Sequence, residues 1–310
     1  MAERVLVIAG PTASGKTGLS LELAERYNGE IVSADSMQVY RRMDIGTAKA
    51  TPAEQARAPH HMIDVAEPWE DYSVSRYVQE AEVCCRDILA RGKLPILTGG
   101  TGLYIDSLLS GRDFAQRDED DSLRQELSEE YERLGAGHMH ARLAAVDPER
   151  AAKLAPTDKR RILRALEIFL LTGQTITAHD AATRALPPRF EAKCIHLSFR
   201  NREDLYQRIN RRVDQMAADG LFREVEELLQ SGLDQNCTAM QAIGYKEAAA
   251  ALRGEISRPE ALEQIKQGSR RYAKRQLTWF RRREDALWIL WDREPALEPA
   301  LARIKSWLET

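Results

Sequence analysis

The chain has 310 residues, with 45 Lys+Arg against 48 Asp+Glu, a net charge of −3 and a pI near 6.2. A charged content of 30% and a hydrophobic content of 43% exclude global disorder and a collagen-like chain, and the length suits one large domain or two ordinary ones. The net charge taken alone argues against a nucleic-acid partner.

Val5 to Ala9 is a continuous apolar run ending in Gly10-Pro11, the pattern of a strand buried in a parallel sheet. The spacing of Leu19, Leu23, Ala24 and Tyr27 predicts a helix from Lys16 to about Tyr27. Ile31-Val32 opens a second strand that stops at Asp35. Ser75 to Arg91 reads as a helix stopped by Gly92, and Leu94 to Leu97 as a third strand running into Gly99-Gly100-Thr101-Gly102. Strands and helices alternating in this way make βαβ units.

The texture changes near Gly111. Residues 112–135 hold nine acidic and four basic residues, and Gly135-Ala136-Gly137 then breaks the chain. Helical patterns resume at Met139–Val146 and Asp158–Thr172. Pro187-Pro188 precedes the next strand, Ile195–Phe199, and Leu287–Leu290 offers a last one. The expected fold class is α/β: a P-loop NTPase-like parallel sheet with flanking helices, plus an all-helical insertion domain. The expected domains are 1–111 with 191–310 as the core, and 112–190 as the insertion.

Cys84, Cys85, Cys194 and Cys237 show neither CxxC spacing nor a paired histidine pattern, which speaks against a zinc site or a disulfide framework. His60-His61 reads as a hydrogen-bonded structural pair rather than a metal site, because adjacent histidines point to opposite sides. The N-terminal apolar run is too short for a secretory leader, and Ala286–Trp291 is far too short for a membrane span. The expectation is a cytoplasmic protein with no membrane partner.

Gly10-Pro11-Thr12-Ala13-Ser14-Gly15-Lys16-Thr17 fits GxxxxGK[ST], after a strand and opening a helix. Glycines let backbone N–H groups curl around phosphates, the helix N-terminus adds positive potential, Lys16 supplies a point charge and the Thr17 hydroxyl suits Mg²⁺. Asp35, at the end of the second strand, faces the same crevice in a doubly wound sheet. It suits a Mg²⁺ ligand or a general base, and equally the N-cap of a helix. Gly99–Gly102 suits either a ligand-facing loop or a plain turn with glycine at positive φ. The third strand ends in Thr98-Gly99 and not in the metal-holding Asp usual in P-loop NTPases, which points away from ATP hydrolysis. Finally, residues 266–283 carry eight Lys/Arg and no acid. On a helix, Lys266, Arg270, Arg271, Lys274, Arg275, Arg281 and Arg282 fall on one half, opposite Ile265, Tyr272, Trp279 and Phe280. A second basic cluster is Lys159-Arg160-Arg161 with Arg164.

Taken together, these motifs resemble the bacterial tRNA dimethylallyltransferase (tRNA isopentenylpyrophosphate transferase) family over nearly the whole chain. The resemblance rests on the P-loop, Asp-Ser-Met-Gln-Val-Tyr at 35–40, Met-Asp-Ile-Gly-Thr-Ala-Lys at 43–49 and His-His-Met-Ile-Asp at 60–64. It continues through Gly-Gly-Thr-Gly-Leu-Tyr at 99–104, Arg-Ala-Leu-Glu at 164–167, Gln-Ala-Ile-Gly-Tyr-Lys-Glu at 241–247 and Ala-Lys-Arg-Gln-Leu-Thr-Trp-Phe-Arg at 273–281. One departure is Thr177, where the family more often has Ser.

The resemblance implies transfer of a dimethylallyl group from dimethylallyl diphosphate to N6 of adenosine 37 (A37) in tRNA, with Mg²⁺ on the diphosphate; a monomer is the expectation, though the sequence does not set the oligomeric state. In that scheme residues 10–17 bind the diphosphate, with Lys16 and the 12–17 amides on its oxygens and Thr17 supporting the metal. Asp35 is the general base, and Thr101 and Gln38 lie near the reacting centre. One of Arg208, Arg211 and Arg212 adds a diphosphate contact. The tRNA contacts implied are Asp35, Ser36, Met37, Gln38 and Thr101; Lys159, Arg160, Arg161, Ile162 and Leu163; and Met240, Gln241, Ala242, Ile243, Gly244 and Tyr245. Arg270, Arg271, Lys274 and Arg275 join them from the basic helix, and the insertion grips the anticodon stem-loop. The alternatives are a P-loop small-molecule kinase, an adenylate prenyltransferase and a non-enzymatic RNA-binding module. The first leaves the basic helix unexplained, the second has no need of the insertion, and the third gives the P-loop and Asp35 no purpose.

Overall fold

Six parallel strands organise the larger part of the computed structural model, which describes residues 3–111 and 122–308. The acidic run at 112–121 lies outside the described residues. The chain divides into two units, Met1–Leu109 with Phe190–Thr310, and Ser110–Arg189.

The first unit begins with β1 (Arg4–Ala9), α1 (Lys16–Arg26), β2 (Gly29–Ser33), α2 (Pro52–Arg57), β3 (His60–His61), α3 (Val74–Ala90), β4 (Leu94–Gly99) and α4 (Gly102–Leu109). The second unit holds α5 (Ser122–Val146), α6 (Pro148–Ala151), α7 (Lys159–Thr172) and α8 (Ile176–Arg184). The chain then re-enters the sheet as β5 (Glu191–Phe199). It continues through α9 (Arg202–Asp219), α10 (Leu221–Gln230), α11 (Tyr245–Leu252), α12 (Arg258–Phe280), β6 (Leu287–Trp291) and α13 (Leu297–Leu308).

The strand order is β3-β2-β4-β1-β5-β6. From β1 the chain crosses to β2 on one side, whereas β5 and β6 extend the sheet on the other, so the order reverses at β1. The carboxyl ends of strands at such a reversal flank a crevice. Register places Ala9 beside Gly99 and His196, and Ser33 beside Thr98. The loops after β1, β2 and β4 therefore leave one edge of the sheet as neighbours.

Alternation along the strands divides the core. Leu6, Ile8, Ile31, Ile96, Ile195 and Leu197 cluster with Leu19 and Leu23 of α1, Leu205 and Ile209 of α9, and Leu301 and Ile304 of α13. Helices α3 and α4 pack together against the sheet, where the Tyr77 ring stacks on Tyr104 at 4.0 Å and the Tyr77 hydroxyl donates to Ser33 O at 3.0 Å. Strand β5 starts four residues before its apolar run, because Glu191 and Lys193 pair in register with Arg4 and Leu6 at the open end of β1. Strand β3 is two residues long, too short for any periodicity to reveal.

The smaller unit buries Leu127, Met139, Leu143, Ala151, Leu154, Ile162, Leu163, Ala165 and Leu166. Gly135, at φ 83° and ψ 167°, interrupts α5. Asp147 caps α6 through Arg150 N at 3.0 Å and also accepts from Thr177 N at 3.1 Å and Thr177 Oγ1 at 2.7 Å. The threonine hydroxyl thus makes the bond a serine would make. No helix among the described residues is long and apolar enough to cross a membrane.

Glu30 is buried in β2 and accepts from Arg91 Nη1 at 2.5 Å and Nη2 at 2.8 Å, from Lys93 at 2.7 Å, and pairs with His61 Nε2 at 2.8 Å. The Arg91 guanidinium, helped by Lys93 and His61 and opposed by burial, holds the Glu30 carboxyl well below the usual carboxylate range. Its contribution to stability is therefore present above the unfolded value of about 4.3 and is lost as pH falls below it. Glu30→Gln should cost about 2 kcal/mol at neutral pH, measured by chemical denaturation. The gap between wild type and variant should narrow between pH 5 and pH 3.

Candidate active site

Residues Gly10–Thr17 turn from β1 into α1 with two left-handed positions, Ala13 (φ 62°) and Gly15 (φ 85°). Gly10 has no room for a side chain, since a Cβ would lie 2.6 Å from Leu197 O. Three side chains hold the loop from outside. Gln276 Oε1 accepts from Thr12 N at 3.0 Å, Arg208 Nε donates to Ala13 O at 3.2 Å, and Trp291 Nε1 donates to Ser14 O at 2.8 Å. Ser14 N donates to Pro11 O at 3.3 Å. The Thr12 and Ser14 amides thus have protein partners already. That leaves fewer of the 12–17 amides for an anion than the sequence pattern suggests.

Lys16 Nζ donates to Gly10 O at 3.0 Å and Pro11 O at 2.8 Å, two of the three donors of an ammonium. Burial, followed by repulsion from the Arg212 guanidinium, pushes it down to about 7, against the opposing pull of Asp35. The Thr17 hydroxyl is drawn into no hydrogen bond with a described residue, so an oxygen donor remains beside the phosphate loop. It fits a hard oxygen-seeking cation such as Mg²⁺.

Asp35 caps no helix, because residues 36–39 form a turn. Its Oδ1 accepts from Met37 N at 3.0 Å, which orients the carboxylate and leaves Oδ2 to take a proton. The loop is pinned to β4: Ala34 N donates to Thr98 O at 2.9 Å, Thr101 N to Ala34 O at 3.1 Å, and Ser36 N to Thr101 Oγ1 at 3.0 Å. Gln38 Oε1 accepts from Ser33 Oγ at 2.9 Å, and its Nε2 donates to Thr47 O and Ala48 O, each at 3.3 Å. The Asp35 charge reaches Lys16, Arg212, Tyr104 and Tyr272. Burial first, and then Asp35, push the Tyr272 phenol up to about 12.

The glycines at 99–102 are not there for positive φ, since none of them has it. They are there for close approach. A Cβ would lie 2.1 Å from Ala34 O at Gly99, 2.2 Å from Gln276 Nε2 at Gly100 and 2.3 Å from Trp279 Cδ1 at Gly102. Thr101 therefore sits between the Asp35 loop and α12.

Two residues that matter here were given no role by the sequence: Glu224, which lies in no motif, and Lys49, which closes the 43–49 motif. Glu224 of α10 accepts from the successive amides of Asp44 (2.9 Å), Ile45 (2.7 Å) and Gly46 (3.1 Å) and from the Tyr245 hydroxyl (2.6 Å). That clamp fixes the segment whose carbonyls receive Gln38. Lys49 is buried and donates to Tyr40 O at 2.9 Å, Asp44 Oδ1 at 2.5 Å and Asp64 Oδ1 at 2.6 Å. Only the Ile-Gly-Thr-Ala-Lys run at 45–49 hinted at this segment.

Among the α9 arginines, Arg208 and Arg211 are paired with Glu294. Arg212 is the one near Lys16 and Asp35; burial pushes its guanidinium down while Asp35 opposes. The basic face of α12 is narrower than the helical-wheel expectation. Lys266 turns to Asp214 (2.8 Å) and Glu263 (3.1 Å), Arg270 donates to Asn210 Oδ1 at 2.6 Å, and α12 ends at Phe280, so Arg281 and Arg282 lie beyond it. Arg271, Lys274, Arg275, Arg281 and Arg282 are exposed.

Met240, Ala242 and Tyr245 are buried, and Gln241 is exposed, its Nε2 on Gln235 O at 3.0 Å. Gly244, at φ 105°, opens α11, and Ile243 is half-buried beside it. In the smaller unit, Ile162 and Leu163 are core residues, Lys159 pairs with Glu132 at 2.6 Å, Arg161 pairs with Asp158 at 3.2 Å, and Arg160 is exposed. The phosphate loop, Asp35, Thr101, Gln38 and the 240–245 segment therefore belong to one unit, and 159–163 to the other.

The IPP transferase family model matches residues 38–283, and an isopentenyl transferase model matches residues 3–64. The chain is 48% identical over 307 residues to a tRNA dimethylallyltransferase of Desulfosudis oleivorans, covering 98% of this chain and 96% of that protein. It is similar to the crystal structure of the full-length tRNA isopentenylpyrophosphate transferase from Bacillus halodurans, with a TM-score of 0.72 and 41% identity over 99% of this chain and 96% of that one. A eukaryotic dimethylallyltransferase acting on tRNA matches with a TM-score of 0.84 and 29% identity, over 99% of this chain and 79% of that one.

A lysine held near 7 takes up a proton when an anion arrives, because the anion restores the ordinary ammonium. Between pH 7 and 9, binding of inorganic diphosphate should consume more protons in the wild type than in Lys16→Arg, which stays charged. Affinity should fall with rising pH more steeply in the wild type. Calorimetry in buffers of different ionisation heat counts the protons, and equal uptake by the two proteins would contradict this placement of Lys16.

Proposed function

The chain belongs to the IPP transferase family and is a prenyl-transferring enzyme that acts on tRNA; we propose that it moves a dimethylallyl group from dimethylallyl diphosphate to N6 of A37, beside the anticodon. The observation that carries this reading is the Asp35 carboxylate, fixed through one oxygen by Met37 N and lying within electrostatic reach of Lys16 and Arg212. A base and a cationic phosphate site are thus side by side, as the reaction requires. The allylic carbon–oxygen bond breaks with its electron pair going to the diphosphate, the N6–carbon bond forms, and the N6 proton passes to Asp35 Oδ2.

Lys16 and Arg212 stabilise charge growing on the departing diphosphate. Thr17 would ligate a Mg²⁺ on that diphosphate, which adds positive charge to the leaving group. Thr101 and Gln38 hold the Asp35 loop at its working height. An anticodon loop is single-stranded, so extruding one base costs a few kcal/mol at most. Arg271, Lys274 and Arg275 on the outer face of α12, with Lys159, Arg160 and Arg161 in the smaller unit, offer the charge for the RNA backbone. A tRNA substrate fits a cytoplasmic enzyme.

The direct test incubates the protein with dimethylallyl diphosphate, Mg²⁺ and unmodified tRNA and digests the RNA for mass spectrometry. The expected product is dimethylallylated adenosine at position 37; ATP turnover without product would favour a kinase. Replacing Arg271, Lys274 and Arg275 with Gln should weaken tRNA binding and reduce the slope of log affinity against log salt by about one for each phosphate no longer neutralised. An unchanged slope would take this face out of the RNA interface.

A further inference from the structure

Gln276 lies on the inner side of α12, whose outer side carries Arg271, Lys274 and Arg275. The residue is 5% exposed, and its side chain makes two hydrogen bonds to backbone in different loops. Oε1 accepts from Thr12 N of the phosphate loop at 3.0 Å, and Nε2 donates to Gly100 O, one residue before Thr101, at 2.9 Å. The orientation of the amide is not ambiguous, because an N–H needs an acceptor and a carbonyl needs a donor. Packing on the Gly100 side is tight enough that a Cβ there would lie 2.2 Å from Nε2. Trp279, one turn on, donates Nε1 to Asp106 Oδ2 at 2.7 Å, so α12 is anchored to α4 as well.

We propose that Gln276 is a positioning residue that couples the two substrates: RNA bound on the outer face of α12 raises affinity for the diphosphate at the phosphate loop, through this one amide. The inference rests on the functional reading above. Three features carry it. Among the described residues the amide bonds α12 directly to the phosphate-loop backbone, it is buried where hydrogen bonds are strong, and it ties that loop and the Thr101 loop to the same rigid point. A displacement of α12 on docking RNA moves the Thr12 and Gly100 backbones together, so the leaving-group site and the base keep their spacing. Coupling of this kind is reciprocal, so diphosphate must tighten RNA binding by the same factor.

The experiment is a calorimetric titration of inorganic diphosphate with Mg²⁺ into the full chain, with and without a saturating unmodified anticodon stem-loop RNA. No reaction occurs with this pair, and the stoichiometry counts only folded protein. In the wild type the RNA should raise diphosphate affinity about tenfold, within the usual range for coupled sites. In Gln276→Met, which keeps the length and loses both hydrogen bonds, that factor should fall to about one while RNA affinity stays within about threefold. Gln276→Glu keeps the acceptor for Thr12 and loses the donor to Gly100, and should retain part of the factor. A wild type without coupling, or a Met variant that keeps it, would overturn the proposal. A wild type that binds both ligands and never prenylates tRNA would instead overturn the functional reading.

Discussion

The structure depends on hydrogen bonds that reach the phosphate loop from outside. A loop that points backbone amides at an anion cannot satisfy all its own polar groups, and it holds its shape only if neighbours take up the remainder. Here Gln276, Arg208 and Trp291 do so from α12, α9 and β6. Each of these partners also belongs to something else. Arg208 is paired with Glu294, Trp291 ends the last strand, and Gln276 reaches the Thr101 loop. The loop shape is therefore tied to the positions of the Thr101 loop and the basic helix, and the strand order that brings three loops to one edge is what makes those ties short.

Charge in this molecule has meaning only locally. A net charge of −3 suggests indifference to RNA, yet the outer face of α12 is strongly basic. The basic face is also smaller than its sequence implies, because α9 supplies Asp214 and Asn210 to Lys266 and Arg270. Near Asp35 the same local logic works on proton affinities. Lys16 is lowered by burial and by Arg212, and Asp35 resists that lowering, so an anion bound beside it would restore its full charge.

Much of this was legible in the residues, where the signal is local. The Gly10–Thr17 motif, the buried run of β1 and the Gly99–Gly102 loop lie within short windows, and the structure has them where the patterns put them. What stayed hidden depends on partners far apart in sequence. Gln276 meets Thr12 across 264 positions, Trp291 meets Ser14 across 277, and Glu224 meets Ile45 across 179. No periodicity or spacing rule covers such pairs. The glycines of the β4–α4 loop show the same limit: their presence was plain, but the reason, the close approach of Ala34, Gln276 and Trp279, needed the packed helix. Arg208, Arg211 and Arg212 look alike in the sequence; only the fold shows the first two paired with Glu294 and the third buried within electrostatic reach of Asp35.

The central claim is that Asp35 removes the proton in a transfer whose leaving group sits on the phosphate loop. Single-turnover prenylation of tRNA by Asp35→Asn, with tRNA affinity measured on the same preparation, tests it most directly. The substitution keeps the shape and the acceptor for Met37 N and removes the base. The account predicts a chemical step slower by at least about a hundredfold, with tRNA binding within a few-fold of wild type. Normal single-turnover chemistry, or loss of tRNA binding with normal turnover, would contradict it.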